Sequence, residues 1–538
     1  MKLEIEGVNS LGQGLSHLPD GRVVFCTGAL PGETVVARLT MEKKAYAVAE
    51  IETVAVPHPQ RVKPSCRWYE TCGGCQLQHA SRSLQLELKS LIVEDSLRRL
   101  GGFDLPEKIS CLPSPVQWGY RNKASFPVRR TASGETTGFF KMGTHDIVPI
   151  ETCPLVCDQA AQLYGTLRGL VQDGGFSAYD EKTGRGWLRH IVVRASTYGS
   201  GLLVLLVVTS KPDQEGMASL RDLWRYLQSR QPALSGLALS INPSRGNRII
   251  GDETVPVAGT DRVHECLGPF RLEYDGTSFF QVNTAQAARL FDYASSLVPD
   301  GSRTLELYCG VGSLTAFLAR KSRAVTAAEI WPPAVEMARK NMSGNNLTNV
   351  ELRLSPAEKL SSDPFEGQDC LVVDPPRTGC DGEMLARLAG TSIKSIVYVS
   401  CNPATLARDA ARLQSAGYQL VTSSVRAFDM FPQTSHVETV ALLSKLNTEH
   451  HLDIEIGEDE LSEIDFSKDA TYGEIKKYVL DKYGLKVSSL YIAQIKRKHG
   501  LIERENYNFS KKENQRVPNC PEEKEKAIED ALEHFGMI

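Results

Sequence analysis

The 538-residue chain has 41% hydrophobic and 23% charged residues and a formal net charge of −4, a water-soluble profile with length for about three or four domains. The slight acidity excludes attachment to nucleic acid by net charge alone and leaves room for a basic groove. No stretch has the length and apolarity of a membrane span, and MKLEIEGVNS is too polar for a signal peptide, so a cytoplasmic protein is expected, whose 13 cysteines are core thiols, metal ligands or a nucleophile rather than disulfides.

Residues 1–56 read as short strands cut by glycine turns, with alternation in TVVARLT and YAVAEIETV that predicts a small barrel. The prolines of VPHPQRVKPSC mark a boundary. Residues 57–265 form a central α+β domain: a cysteine loop, a helix (HASRSLQLELKSLIVEDSLRRL) and strand runs such as HIVVRAS and GLLVLLVVTS. In CRWYETCGGCQLQH, Cys66, Cys72 and Cys75 are spaced C-x5-C-x2-C around a glycine pair. That pattern suits an iron–sulfur cluster awaiting a fourth ligand, or a zinc ion completed by His79. In WGYRNKASFPVRR, Trp118, Tyr120, Arg121, Lys123, Phe126, Arg129 and Arg130 interleave aromatic and basic side chains, as an RNA-facing strand does.

From 266 to 446, apolar strands alternate with helices (RTLELY, RAVTAAEI, DCLVVD, SIVYVS, VETVALLS), which predicts a doubly wound sheet. RTLELYCGVGSLTAFLA is strand, glycine turn and helix; Gly310 and Gly312 permit close backbone approach to a ligand, and Glu329 ends the next strand where an acid binds ribose hydroxyls. Thr315 stands where a dinucleotide fingerprint has its third glycine, which favours a nucleoside without phosphates, such as S-adenosylmethionine. Asp374 (CLVVDPPRTG) and Cys401 (IVYVSCNPA) also follow strand ends, so Glu329, Asp374 and Cys401 share the rim where ligands of open α/β sheets bind. The helix start after Cys401 is expected to lower its thiol pKa. Glu438 enters a later strand, with His436 as a rival base.

At 447 the chain turns acidic and polar (NTEHHLDIEIGEDELSEIDFSKD), then reads as two helices around a Gly-Leu-Lys turn and a last charged helix. This 447–538 segment is a helical extension, expected to be dispensable for chemistry.

FFQVN, LELYCGVGSLT, DPPRTG, SCNPATLARD and HVETV, in that order, closely resemble the RNA 5-methyluridine methyltransferases, and the cysteine loop and barrel-like front are similar to the RumA/RlmD branch acting on 23S ribosomal RNA. The resemblance covers residues 1–446. It implies an N-terminal TRAM domain (an OB-like barrel, 1–56), the central iron–sulfur domain (57–265) and a Rossmann-like class I methyltransferase domain (266–446). It implies methyl transfer from S-adenosylmethionine to carbon 5 of a uridine, with Gln281, Tyr308, Glu329 and Asp374 contacting the donor, Cys401 as nucleophile and Glu438 as general base. It favours a 4Fe-4S cluster on Cys66, Cys72, Cys75 and Cys153, the last preferred over Cys157. Pro356, in LSPAEKL, replaces a polar residue of many members and leaves Ser355 to meet the adenine edge. RNA is the expected partner, 23S ribosomal RNA before transfer RNA, with no DNA and no membrane, and the protein is expected to be a monomer. A non-catalytic RNA-binding protein, or a methyltransferase acting on protein or DNA, is the competing reading; DPPR in place of NPPY speaks against amide or adenine methylation.

Overall fold

Alternating inward and outward side chains organise the first fifty-odd residues. The computed structural model describes residues 1–132, 134–246, 248–360, 363–445, 472–485, 487, 489–499 and 520–534, in two units, Met1–Thr448 and Glu449–Ile538. At the front of the first unit, strands pair in the order Lys2–Glu4, Thr34–Glu42, Tyr46–Val56, Val23–Thr27, Gln13–His17, Gly7–Val8. Val24, Cys26, Val35, Ala37, Ala47 and Ala49 point into one core, with their neighbours outward, as period-two pleating requires. Register shifts between Thr34–Glu42 and Tyr46–Val56 bend and twist this sheet.

A second six-stranded sheet runs Glu253–Gly259, Leu234–Ile241, Leu202–Val208, Leu188–Ala195, Lys123–Thr131, Gly134–Thr137. Leu188–Ala195 and Leu202–Val208 are buried at every residue: helices Asp158–Gln172 and Gln214–Arg230 cover one face, and on the other Val192, Leu205 and Val207 pack with Ile249 and Ile250. This corrects the reading of WGYRNKASFPVRR as an RNA-facing strand. Phe126 is in the core, its ring stacked 3.6 Å from that of Tyr164, Tyr120 is buried with its hydroxyl donating to the Pro432 carbonyl at 3.1 Å, and Arg129 pairs with Glu181. Trp118 and Arg130 remain exposed. A strand inside a sheet spends its aromatic residues on packing.

The third sheet has eight strands in the order Val350–Leu354, Ala324–Glu329, Arg303–Leu307, Cys370–Val373, Ser395–Ser400, Glu438–Lys445, Tyr418–Phe428, Cys111–Leu112. The first five are parallel; Glu438–Lys445 is antiparallel to both of its neighbours. Helix Arg82–Arg99 also belongs here: Leu84, Leu88 and Ile92, spaced one turn apart, share a core with Leu406, Ala410 and Leu413 of helix Pro403–Ser415. The segment 57–265 therefore contributes to more than one core, because that apolar stripe and the edge strand at Cys111 find partners in the third sheet.

The second unit contains helices Tyr472–Tyr483, Ser489–Lys498 and Glu522–His534. Ile475, Val479, Ile492, Ile495, Ile528 and Leu532 form its core, and Lys482–Asp530 and His499–Glu529 pair at 2.9 and 2.8 Å on its surface. The acidic stretch 447–471 lies outside the described residues. Among the described residues no helix is long and apolar enough to cross a membrane.

Candidate active site

Register lines up the rim of the third sheet. Leu307 pairs with both Ala328 and Val373, so the next residues, Glu329, Tyr308 and Asp374, stand side by side across three parallel strands. Chain order reverses direction at the central strand Arg303–Leu307, the switch point where such sheets bind ligands. Tyr308 takes the left-handed φ of 66°, which turns the chain sharply into Gly310 and Gly312, at φ 56° and 84°. A Cβ on Gly312 would lie 2.9 Å from the Met342 methyl, whereas one on Gly310 would meet nothing within 4 Å. Gly312 thus serves packing, and Gly310 faces open space. Helix Ser313–Lys321 starts at Gly312 with no side-chain cap, leaving its first amides free for a ligand.

Glu329 accepts from the Gly310 amide at 3.0 Å and from the Ile330 and Trp331 amides at 2.8 and 2.9 Å, which fixes its carboxylate at the rim. Tyr308 donates to Glu358 at 3.0 Å. Gln281 is buried, and its carbonyl accepts from Asn122 at 2.9 Å. The Ser355 hydroxyl donates to the Pro356 carbonyl at 3.3 Å. Asp374 keeps some surface, yet its carboxyl is so enclosed by protein that burial pushes it up to about 7.

Sequence reasoning missed Glu306. It sits buried within an apolar strand with one carboxylate oxygen unpartnered, and burial pushes it up to about 8, with the Asp374 and Glu329 carboxylates adding to the rise. An acid in the otherwise apolar RTLELY was the available signal. A row of acids, one of them orphaned, beside free amides and an open glycine fits a cationic nucleoside such as S-adenosylmethionine.

The antiparallel register pairs Ser400 with Thr439; one step further sets Cys401 opposite Glu438. Adjacent positions in such a ladder have Cα atoms about 4.5–5.5 Å apart. Asn402 caps helix Pro403–Ser415 by accepting from the Ala404 amide at 3.1 Å, and its side-chain NH2 donates to the Arg377 carbonyl at 3.1 Å, tying the Asp-Pro-Pro-Arg turn to the cysteine corner. The expectation of a lowered thiol pKa is corrected: burial pushes Cys401 up to about 11, the Glu438 and Asp374 carboxylates add to the rise, and Arg377 opposes it. Glu438 is buried and held well above the usual carboxylate range by burial, then by Asp374, against Arg377. Arg377, in the quoted DPPR, is the second residue the sequence reading left unassigned. His436 is pushed down to about 4, by burial first.

Cys66, Cys72, Cys75 and Cys153 wall one cavity of about 100 Å³ together with Arg121. Cys157 lines only the neighbouring cavity, which Cys153 also borders, and His79 is turned to the Tyr69 hydroxyl at 2.5 Å. Among the described residues no cluster of three or more His, Cys, Asp or Glu side chains is gathered tightly enough for one metal ion.

The sheet, with its acids and glycine turn at the switch point, has the class I methyltransferase fold, and the front sheet matches the TRAM domain model over residues 1–51. Residues 196–446 match the tRNA (Uracil-5-)-methyltransferase family model. The chain belongs to the S-adenosylmethionine-dependent RNA uracil-5-methyltransferases. It is 39% identical over 438 residues to an Uncharacterized RNA methyltransferase of Gloeobacter violaceus, covering 81% of this chain and 94% of the relative. It is 35% identical to one of Bacillus cereus, covering 79% and 92%. The crystal structure of Pyrococcus abyssi tRNA (uracil-54, C5)-methyltransferase in complex with S-adenosyl-L-homocysteine superposes with a TM-score of 0.64 at 28% identity, covering 82% of this chain and 100% of that one.

Proposed function

We propose that this enzyme methylates carbon 5 of a specific uridine in RNA, by preference 23S ribosomal RNA, through a covalent cysteine adduct. The observation that carries the mechanism is the register that opposes Cys401 and Glu438. Gln281, Tyr308, Glu329 and Asp374 would hold S-adenosylmethionine. When bound, the donor supplies an electrophilic methyl group on a sulfonium. The target base must leave its stack to reach the rim. The Cys401 thiolate adds to carbon 6 and makes the ring an enolate, nucleophilic at carbon 5. Once carbon 5 carries the methyl group, Glu438 removes its remaining proton, the 5,6 double bond re-forms and the thiolate leaves. Cys401→Ala should abolish adduct and methylation together, while Glu438→Gln should accumulate a methylated covalent RNA adduct on a denaturing gel. An adduct formed by Cys401→Ala would place the nucleophile elsewhere.

Ribosomal RNA is preferred because a cysteine loop and a TRAM front accompany that branch; transfer RNA is the second reading, favoured by the name of the Pyrococcus abyssi enzyme. Mass spectrometry of both RNA pools from a deletion strain decides, by which pool loses 5-methyluridine. Rim acids, thiol and carboxyl all come from one chain, as the expected monomer requires.

The four cysteines around one cavity support a 4Fe-4S cluster. A single zinc ion, with bonds of about 2.3 Å to sulfur, needs its thiolates packed closely together, whereas a cluster gives each cysteine its own iron. Cys66, Cys72, Cys75 and Cys153 would hold it, and it would cross-link the 66–75 loop to Cys153. Anaerobic purification should give a brown protein with about four irons per chain; colourless protein with stoichiometric zinc would overturn this.

A further inference from the structure

The loop 429–437 leads straight into Glu438 and is gripped from outside its own sheet. Lys89, fully buried on helix Arg82–Arg99, pairs with Asp429 at 2.5 Å and donates to the Phe431 carbonyl at 3.0 Å. One turn earlier on that helix, Gln85 exchanges two hydrogen bonds with Gln433: the Gln433 amide donates to its oxygen at 2.9 Å, and its side-chain NH2 donates to the Gln433 side-chain oxygen at 3.0 Å. The Gln433 carbonyl accepts from the Gln76 and Leu77 amides at 3.2 and 3.0 Å, directly after Cys75. Ser435 donates to the Ser10 carbonyl of the front sheet at 2.9 Å.

Gln433 holds a left-handed φ of 73° without being glycine. That conformation costs about 1–2 kcal/mol and persists where surroundings over-determine it; here both its backbone groups and its side chain are bonded. Glu438 needs the support, because proton removal demands geometry correct to a fraction of an ångström.

We infer that Gln85 and Gln433 are positioning residues for the proton-removal step, holding Glu438 opposite Cys401 through the loop between them, and that the cysteine loop braces the same loop at Gln76 and Leu77. The inference rests on Glu438 as the base. Neither glutamine contacts the reacting ring in this scheme, so adduct formation and adduct resolution should separate. In single turnover with the full chain, Gln85→Met should form the adduct within about twofold of the wild-type rate, release methylated RNA about tenfold more slowly, and accumulate methylated adduct on a denaturing gel. Gln433→Gly, which removes only the side-chain bond of the pair (the backbone amide still donates to Gln85) while easing the backbone, should show the same separation with a smaller slowing of release. If formation and release fall together, if neither changes, or if both variants fail to fold, the network is structural and the inference is overturned. Glu438→Gln on the same gel separates the two ideas: no methylated adduct from it overturns the base assignment itself, whereas an adduct from it but none from the glutamine variants overturns only the positioning role.

Discussion

The Tyr398 hydroxyl donates to the Asp409 carboxylate at 2.8 Å, clamping the strand before Cys401 to the helix after it. Asp409 is fully buried; it also accepts from the Cys380 amide at 2.8 Å and pairs with Arg408 at 2.7 Å. One carboxylate therefore joins the cysteine corner to the loop that follows Asp374.

Asp409→Ala strands a buried phenol and a buried amide, and should cost about 3 kcal/mol in urea unfolding. Asp409→Asn keeps an acceptor and should cost about half as much. Equal, small losses would mean the clamp bears little strain on the fold.

The two turn glycines should fail differently. Gly312→Ala drives a methyl into Met342 and Ala338 in a left-handed position, and should lower the melting temperature clearly. Gly310→Ala meets no protein atom and should cost about 1 kcal/mol of stability while weakening donor binding at least tenfold in calorimetry. Unchanged donor affinity in Gly310→Ala would move the nucleoside away from this turn.

The pH dependence follows from the raised acids. With Cys401 pushed up to about 11, the thiolate fraction at neutral pH is small and grows as pH rises; Glu438, also raised, gains its base form in the same direction. Adduct formation with RNA carrying 5-fluorouridine, where no base can remove fluorine as a cation, should therefore quicken between pH 7 and 9, by up to about tenfold per unit. Arg377→Ala removes the one opposing charge and should slow the reaction at pH 7.5, with recovery at higher pH. A flat profile would place thiolate formation under another group's control.

A chain ending at Lys445 keeps all three sheets and the whole rim, so it should stay folded and methylate naked RNA at a rate close to that of the full chain. Loss of both solubility and activity would show that the extension is part of the catalytic body.

The sequence by itself determined the strand-end rim. Strand runs broken by Gly310, Asp374-Pro-Pro and Cys401-Asn-Pro announce their own ends, because polar, glycine and proline residues at strand termini are local signals. Spacing and the glycine pair also singled out Cys66, Cys72 and Cys75 as a group, which the structure sets around one cavity. What only the tertiary structure decided depends on partners far along the chain. The aromatic-basic run at 118–130 looked solvent-facing until the neighbouring strands and helix Asp158–Gln172 covered it. Helix Arg82–Arg99 looked like part of a central domain, but its apolar stripe is satisfied by helix Pro403–Ser415. The thiol of Cys401 looked activated by its helix start; the fold instead brings Glu438 and Asp374 to face it, and nearby carboxylates together with burial outweigh a capped helix terminus. Register, burial and the facing of charges are sums over contacts distant in sequence, and no local pattern contains them.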